Sequence, residues 1–350
     1  LIGQVLGKYR VLEKIGEGGM GSVYRAEHTV LGSPAAVKVL LPQWTQDAVV
    51  VDRFFHEAKA ASAIRHVGIV EVFDYGRVGD QAWIAMEHLR GETLTEMFLR
   101  SDRRLDPSIA QQLMLQVLAA LDAAHATGVV HRDLKPDNLF LVRDPSAPAS
   151  IRLKILDFGI AKLGTDRFGE KQKTKGGTIL GTPAYMAPEQ CKGGAVEVDA
   201  RADLYALGCI LFELLSGRPP FVSQGGGETM AMHIYEQPPQ LSSLAPNLPP
   251  ELDALVAKLL AKSPADRMPS AAYTLAALER VPLPALRESF AILDHFTRNR
   301  AETYAPPGTY TQYLPPPPEE KPPSRAFPVA VLFIALAVAA AAVYFIGLAD

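Results

Sequence analysis

Residues 16–21 read GEGGMG, and their neighbours along the chain restrict the folds open to it. The G-x-G-x-x-G spacing serves two unrelated ways of holding phosphate. In a dinucleotide fold the turn opens a helix that receives a pyrophosphate, and an acidic residue stands about twenty positions on. Here Gly21 leads into SVYRAEH, which alternates in the manner of a strand. Seventeen residues after Gly21 stands Lys38, a base, within AAVKVL. The glycines therefore join two antiparallel strands. Without Cβ atoms they can lay backbone N–H groups close over phosphates, and a lysine of the next strand can neutralise the charge. For this motif alone, an ordinary glycine-rich hairpin is the plainer alternative.

Two strings farther on add chemistry. Residues 131–138 read HRDLKPDN, and Asp157-Phe158-Gly159 begins nineteen residues after Asn138. Phosphoryl transfer needs a positioned hydroxyl, a divalent cation on the phosphates and charge neutralisation, with little covalent help. Asp133 can accept the hydroxyl proton, and Lys135 can reach a γ-phosphate. Asn138 and Asp157 offer the hard oxygen ligands that suit Mg2+. Alone, either string could be a helix cap or a turn. Together, in this order and after GEGGMG…AVK, they point to phosphoryl transfer.

On these residues the chain resembles the eukaryotic-type (Hanks-type) protein kinases, and among them the bacterial receptor-like Ser/Thr kinases, over about residues 9–280. The resemblance implies an α+β, two-lobed fold. A small antiparallel β-sheet lobe with one helix would span 9–88, and a larger, mainly helical lobe 89–280. ATP would lie against Ile15, Gly16, Glu17, Gly18, Gly19, Met20, Gly21, Ser22 and Val23. The adenine would sit between Val23 and Ala36 above and Phe140 below. Met86 would guard the back of the pocket, with the backbone of Glu87 and Leu89 bonding the base. These apolar residues would otherwise read simply as core.

By the same resemblance Lys38 would contact the α- and β-phosphates and pair with Glu57. A surface Arg53–Glu57 pair at i, i+4 is the other reading of that glutamate. Asp133 would be the catalytic base and Lys135 the γ-phosphate partner, a lysine that marks Ser/Thr specificity. Asn138 and Asp157 would hold Mg2+, with Mn2+ as a substitute. Thr178, or Thr174, would take an activating phosphate that Arg132 receives. Thr182 would bond the catalytic pair and position the substrate hydroxyl. Glu189 and Arg267 would form a buried brace in the large lobe, and Asp203 would fix the catalytic-loop backbone. One departure is His66-Val67-Gly68, where the family often carries His-Pro-Asn. It bears on the local turn and on how stiffly the glutamate helix is held.

Bulk properties agree with this organisation. In 350 residues, 35 basic side chains face 38 acidic ones, a balance that speaks against a nucleic-acid partner. Cys191 and Cys209 make neither a disulfide framework nor a zinc site, so the globular part reads as intracellular. No basic run followed by an apolar one marks a signal peptide, and the missing initiator Met predicts a clipped start. Strand-like runs alternate up to Met86, interrupted by one helix over about 49–64. Residues 108–128 read as a long amphipathic helix closed by Gly128. Residues 202–217, ADLYALGCILFELLSG, are apolar nearly all round and predict a central helix.

Prolines cluster over 281–327, which reads as an extended tether, or else as a docking stretch for a proline-binding module. It carries Thr303, Thr309 and Thr311. Residues 329–349 hold no charge, and 21 residues of helix would span a bilayer of about 30 Å. Lys321 and Arg325 before that segment predict a single-pass protein of the inner membrane with its kinase domain in the cytoplasm. An external domain beyond Asp350, or a tail anchor, would complete it. The expected activity is ATP-dependent phosphorylation of Ser/Thr hydroxyls on proteins, with autophosphorylation in trans through a homodimer. Two rivals remain. A pseudokinase scaffold should lack Lys38, Asp133 or Asp157, and a small-molecule phosphotransferase should lack the APE segment with Thr182; this chain has all of them.

Overall fold

The computed structural model describes residues 1–158, 183–193 and 198–284. The small lobe is a six-stranded antiparallel sheet and one helix. Strands β1 (Val5–Leu6), β2 (Tyr9–Glu17), β3 (Gly21–His28) and β4 (Pro34–Leu40) come in sequence. Helix α1 (Ala48–Ala63) precedes β5 (Val72–Val78) and β6 (Gln81–Met86). The spatial order is β1-β2-β3-β4-β6-β5. Side chains alternate across a strand, and that alternation sorts the lobe into two cores. Val37, Val39, Trp83 and Ala85 pack on one face with Tyr9 and Val11. Ala36, Leu40, Ile84 and Met86 pack on the other, against Val50, Val51 and Phe54 of α1.

Helix α1 starts where Asp47 accepts hydrogen bonds from the N–H groups of Val49 and Val50, a side-chain N-cap. Its buried stripe is Val50, Val51, Phe54, Glu57, Ala58 and Ala61. Glu57 thus lies on the face turned to the sheet. Beyond α1 the segment His66-Val67-Gly68 makes a tight turn, with Gly68 N–H donating to His66 Nδ1 at 3.0 Å. A Cβ on Gly68 would come within 3.1 Å of that ring nitrogen and 3.2 Å of Ala120 Cβ.

The large lobe opens with β7 (Gly91–Thr93), α2 (Leu94–Arg100) and α3 (Pro107–Ala126). Strands β8 (Leu139–Arg143) and β9 (Ile151–Ile155) pair with β7 in the order β7-β8-β9. Gly128, at φ +77°, lies just past the end of α3. The remaining helices are α4 (Pro188–Lys192), α5 (Arg201–Ser216), α6 (Gly226–Tyr235), α7 (Pro250–Leu259) and α8 (Ala271–Glu279). Every residue of α5 after Arg201 is buried, and Gly217 ends it at φ +93°. The lobes meet along backbone: Ile155 N–H donates to the Gly68 carbonyl at 2.8 Å, and Val70 N–H to the Ile155 carbonyl at 3.1 Å.

The two-lobed α+β architecture is as expected, but the membrane part of the expected fold is corrected. Among the described residues no helix is long and apolar enough to cross a membrane. The central helix α5 has 16 residues, about 24 Å of rise, and it buries Asp203 and Glu213. Its apolar surface faces protein. Charge-free composition states a hydropathy; a span also needs a continuous helix that satisfies its own backbone groups. Residues 329–349 lie outside the described residues, as does all but 281–284 of the proline-rich stretch. The transmembrane helix, the bilayer as partner and the single-pass inner-membrane location are therefore withdrawn. The homodimer expected for trans-autophosphorylation has no support and is withdrawn with them.

Candidate active site

The site is built where β4, α1 and the segments after α3 and β9 converge. Lys38 projects from β4 on the face that carries Ala36 and Leu40. Its Nζ lies 3.0 Å from Glu57 Oε1 and 2.9 Å from Asp157 Oδ2. One ammonium thus joins the helix of the small lobe to a residue just after β9. Burial raises the Glu57 carboxyl above its ordinary range; Lys38 opposes the shift and Asp157 adds to it. Asp157 itself takes φ +24°, at the edge of the left-handed region.

The 131–138 segment is held from beneath by a buried carboxylate. Asp203, in the first turn of α5, accepts the N–H of His131 and the N–H of Arg132, each at 2.8 Å. His125 Nε2 lies 2.8 Å from the same side chain. Arg132 sits at φ +63°, a region that costs a non-glycine residue about 1 kcal/mol or more, and the Asp203 bonds hold it there. Gln190 Nε2 adds a bond of 2.8 Å to the Arg132 carbonyl.

His131 is fully buried, and burial lowers its pKa, with Asp203 and Asp133 pulling the other way. A neutral ring fits both of its contacts. Nε2 faces the Leu156 carbonyl at 3.1 Å and so carries the proton, while Nδ1 accepts the Asp133 N–H at 3.2 Å. The ring thereby links the backbone of Asp133 to the residue before Asp157. The Asp133 carboxylate lies 3.7 Å from Lys135 Nζ.

Asn138 shows how a cation would fit. Its Nδ2 donates to the Asp133 carbonyl at 2.7 Å, which leaves Oδ1 outside that bond. That oxygen is buried and has no hydrogen-bond partner, as suits a ligand for a hard cation. Among the described residues no cluster of three or more His, Cys, Asp or Glu side chains forms a metal cage by itself. Phosphate oxygens would supply further ligands.

The apolar residues assigned to the adenine come together. Val23, Ala36, Met86, Leu89 and Phe140 share one buried cluster, with Ile15 and Met20 packed against it. Glu87 N–H donates to the Glu71 carbonyl at 2.9 Å, and its side chain meets Lys154 of β9. Gly16, Glu17, Gly18, Gly19, Gly21 and Ser22 lie in or beside the β2–β3 turn; Gly16 pairs with Val23 and Glu17 with Ser22. At Gly21 a Cβ would stand 2.8 Å from the Val39 carbonyl, so the close approach of β3 to β4 requires glycine.

In the large lobe Arg267 makes a bidentate bond to Glu189, both arms at 2.7 Å. Thr174, Thr178 and Thr182 lie outside the described residues. Sequence reasoning assigned no role to His125, Gln190 or the ring of His131. Nothing in their spacing signals a role, because their partners stand up to 78 positions away.

The comparisons with known proteins fit this geometry. The protein kinase domain family matches residues 9–277, more than half of the chain. The chain belongs to the protein kinase family. Serine/threonine-protein kinase Pkn1 of Myxococcus xanthus is 43% identical over 280 residues, covering 80% of this chain and 39% of Pkn1. Serine/threonine-protein kinase PknH of Mycobacterium tuberculosis is 39% identical over 284 residues, covering 81% of this chain and 43% of PknH. The crystal structure of the Mycobacterium tuberculosis PknI kinase domain superposes with a TM-score of 0.63 at 31% identity, covering 81% of this chain and 99% of that domain. This kinase chain spans about two fifths of the length of the curated relatives Pkn1 and PknH. Its kinase domain is of the Ser/Thr type, and ATP with Mg2+ is the cofactor pair of the family.

Proposed function

We propose that the whole protein transfers the γ-phosphate of ATP to serine and threonine hydroxyls of proteins, its own segment 157–189 among them. The observation that carries this reading is Lys38, held within 3.0 Å of both Glu57 and Asp157. It places a fixed positive charge between the lobes, where the α- and β-phosphates would lie. Asp133 would accept the hydroxyl proton as the hydroxyl oxygen bonds to the γ-phosphorus and the bond to the ADP oxygen breaks. Lys135 would steady the charge on the transferring group. Mg2+, held by Asn138 and Asp157, would neutralise the phosphates. Val23, Ala36 and Phe140 would enclose the adenine, and the carbonyl of Glu87 with the N–H of Leu89 would bond it. No observation favours the pseudokinase scaffold.

The test is phosphate incorporation by the full chain with Mg-ATP. Wild type is expected to label threonines between 157 and 189, and Asp133→Asn to lose at least about a hundredfold in rate. Equal, weak labelling of the two proteins would sink the proposal.

A further inference from the structure

The turn between β2 and β3 is anchored from outside itself. Gly18 N–H donates to the Gly21 carbonyl at 2.8 Å and closes the turn. Leu41 N–H donates to the Met20 carbonyl at 2.9 Å. The indole N–H of Trp44, in the 3-10 turn Pro42–Trp44, donates to the Gly19 carbonyl at 3.4 Å. Met20 and Trp44 are half-buried, and both pack against the small-lobe core beneath α1. The anchor is held in its turn. Thr45 Oγ1 donates to the Pro42 carbonyl at 2.9 Å, and Arg77 Nη2 on β5 donates to the Thr45 carbonyl at 3.1 Å.

These bonds have a directional consequence. In a trans peptide the C=O and N–H point opposite ways. With the Gly19 carbonyl held by Trp44 and the Met20 carbonyl by Leu41, the N–H groups of Met20 and Gly21 are aimed away from the anchor. A glycine-rich turn left to itself samples many backbone orientations, and it loses that freedom when it closes on a ligand. Here part of that freedom is already gone before any ligand arrives.

We infer that Trp44 is a positioning residue for ATP, presetting the backbone N–H groups of the glycine turn for the phosphates. The inference rests on the reading of residues 16–21 as the phosphate lid. It assigns Trp44 no contact with the nucleotide. Its effect should therefore appear with ligands that carry phosphates and be absent with adenosine.

The experiment measures binding of Mg-ATP and of adenosine to the full chain by calorimetry, for wild type and Trp44→Phe. Phenylalanine keeps an aromatic ring and removes the N–H. The variant is expected to bind Mg-ATP about three- to tenfold more weakly, the worth of one net hydrogen bond. Its affinity for adenosine should stay within about twofold of wild type, which also reports that it is folded. Unchanged or tighter Mg-ATP binding by the variant, or equal losses for ATP and adenosine, would overturn the inference. A wild-type chain that fails to bind Mg-ATP at all would remove the lid reading and this inference together.

Discussion

Two buried carboxylates of α5 do opposite things. Asp203 remains an acceptor for three donors and fixes the backbone of the 131–138 segment. Glu213, about three turns on, has the Tyr185 hydroxyl at 2.6 Å, and burial pushes its carboxyl up to about 7 despite that bond. The folded chain therefore holds a proton on Glu213 across a window in which the unfolded chain has lost it. This contribution to stability is full below about pH 4.3 and is lost as the pH rises to about 7. Glu213→Gln keeps an acceptor for Tyr185 and cannot ionise. Its melting temperature relative to wild type is expected to rise between pH 5 and pH 8. A gap that stays constant across that range would show that Glu213 does not titrate there. The same scale shows where sequence reading stops. Glu57 could have paired with Arg53 along the helix or with Lys38 across the lobe, and spacing alone left both open. The 3.0 Å contact to Lys38 exists because α1 turns that face toward β4.

At the scale of elements, strongly patterned segments were legible and short ones were not. The helix expected over about 49–64 is Ala48–Ala63, and the all-round apolar run is α5. Strand β1 has two residues, too few for any period to show. The mid-helix glycine of α5 was legible as a residue and silent as to purpose. The structure supplies the reason: a Cβ on Gly208 would stand 2.7 Å from Leu259 Cβ of α7. Alanine favours a helix over glycine by about 1 kcal/mol, so propensity predicts that Gly208→Ala stabilises. Packing predicts the reverse, because overfilling a packed contact costs about 1–3 kcal/mol. We expect packing to win and the urea midpoint to fall. A raised midpoint would mean that α5 and α7 can separate without loss.

The whole molecule depends on a few tertiary ties. Arg267 is the clearest among the described residues. Its guanidinium bonds Glu189 twice, donates to the Arg201, Ala261 and Lys262 carbonyls, and lies 4.8 Å from the Tyr205 ring centroid. It thereby binds α4, the start of α5 and the end of α7 into one block. Removing one partner of such a pair strands the other charge in the interior. Arg267→Met is expected to cost about 3–5 kcal/mol in chemical denaturation. Breaking the half-buried surface pair Arg25–Glu13 with Glu13→Gln should cost less than about 1 kcal/mol. Similar losses for both would show that the Arg267 network is not buried as described.

Local patterns in the chain were enough to specify the family, the two-lobed plan and the residue types that phosphoryl transfer requires. A hairpin instead of a helix after GEGGMG, Lys38 where a dinucleotide fold has an acid, and HRDLKPDN ahead of DFG are such patterns. They survive without coordinates because strand period, turn chemistry and motif spacing act over a few residues. Which side chains meet was settled by tertiary packing alone. Packing set Lys38 between Glu57 and Asp157, His131 under Leu156, Asp203 beneath the 131–138 segment and Trp44 behind the glycine turn. The reading made from hydropathy alone, a membrane span at 329–349, is withdrawn, since among the described residues no helix is long and apolar enough to cross a membrane. Such contacts join residues far apart in the chain, and their geometry comes from packing, which no single segment carries.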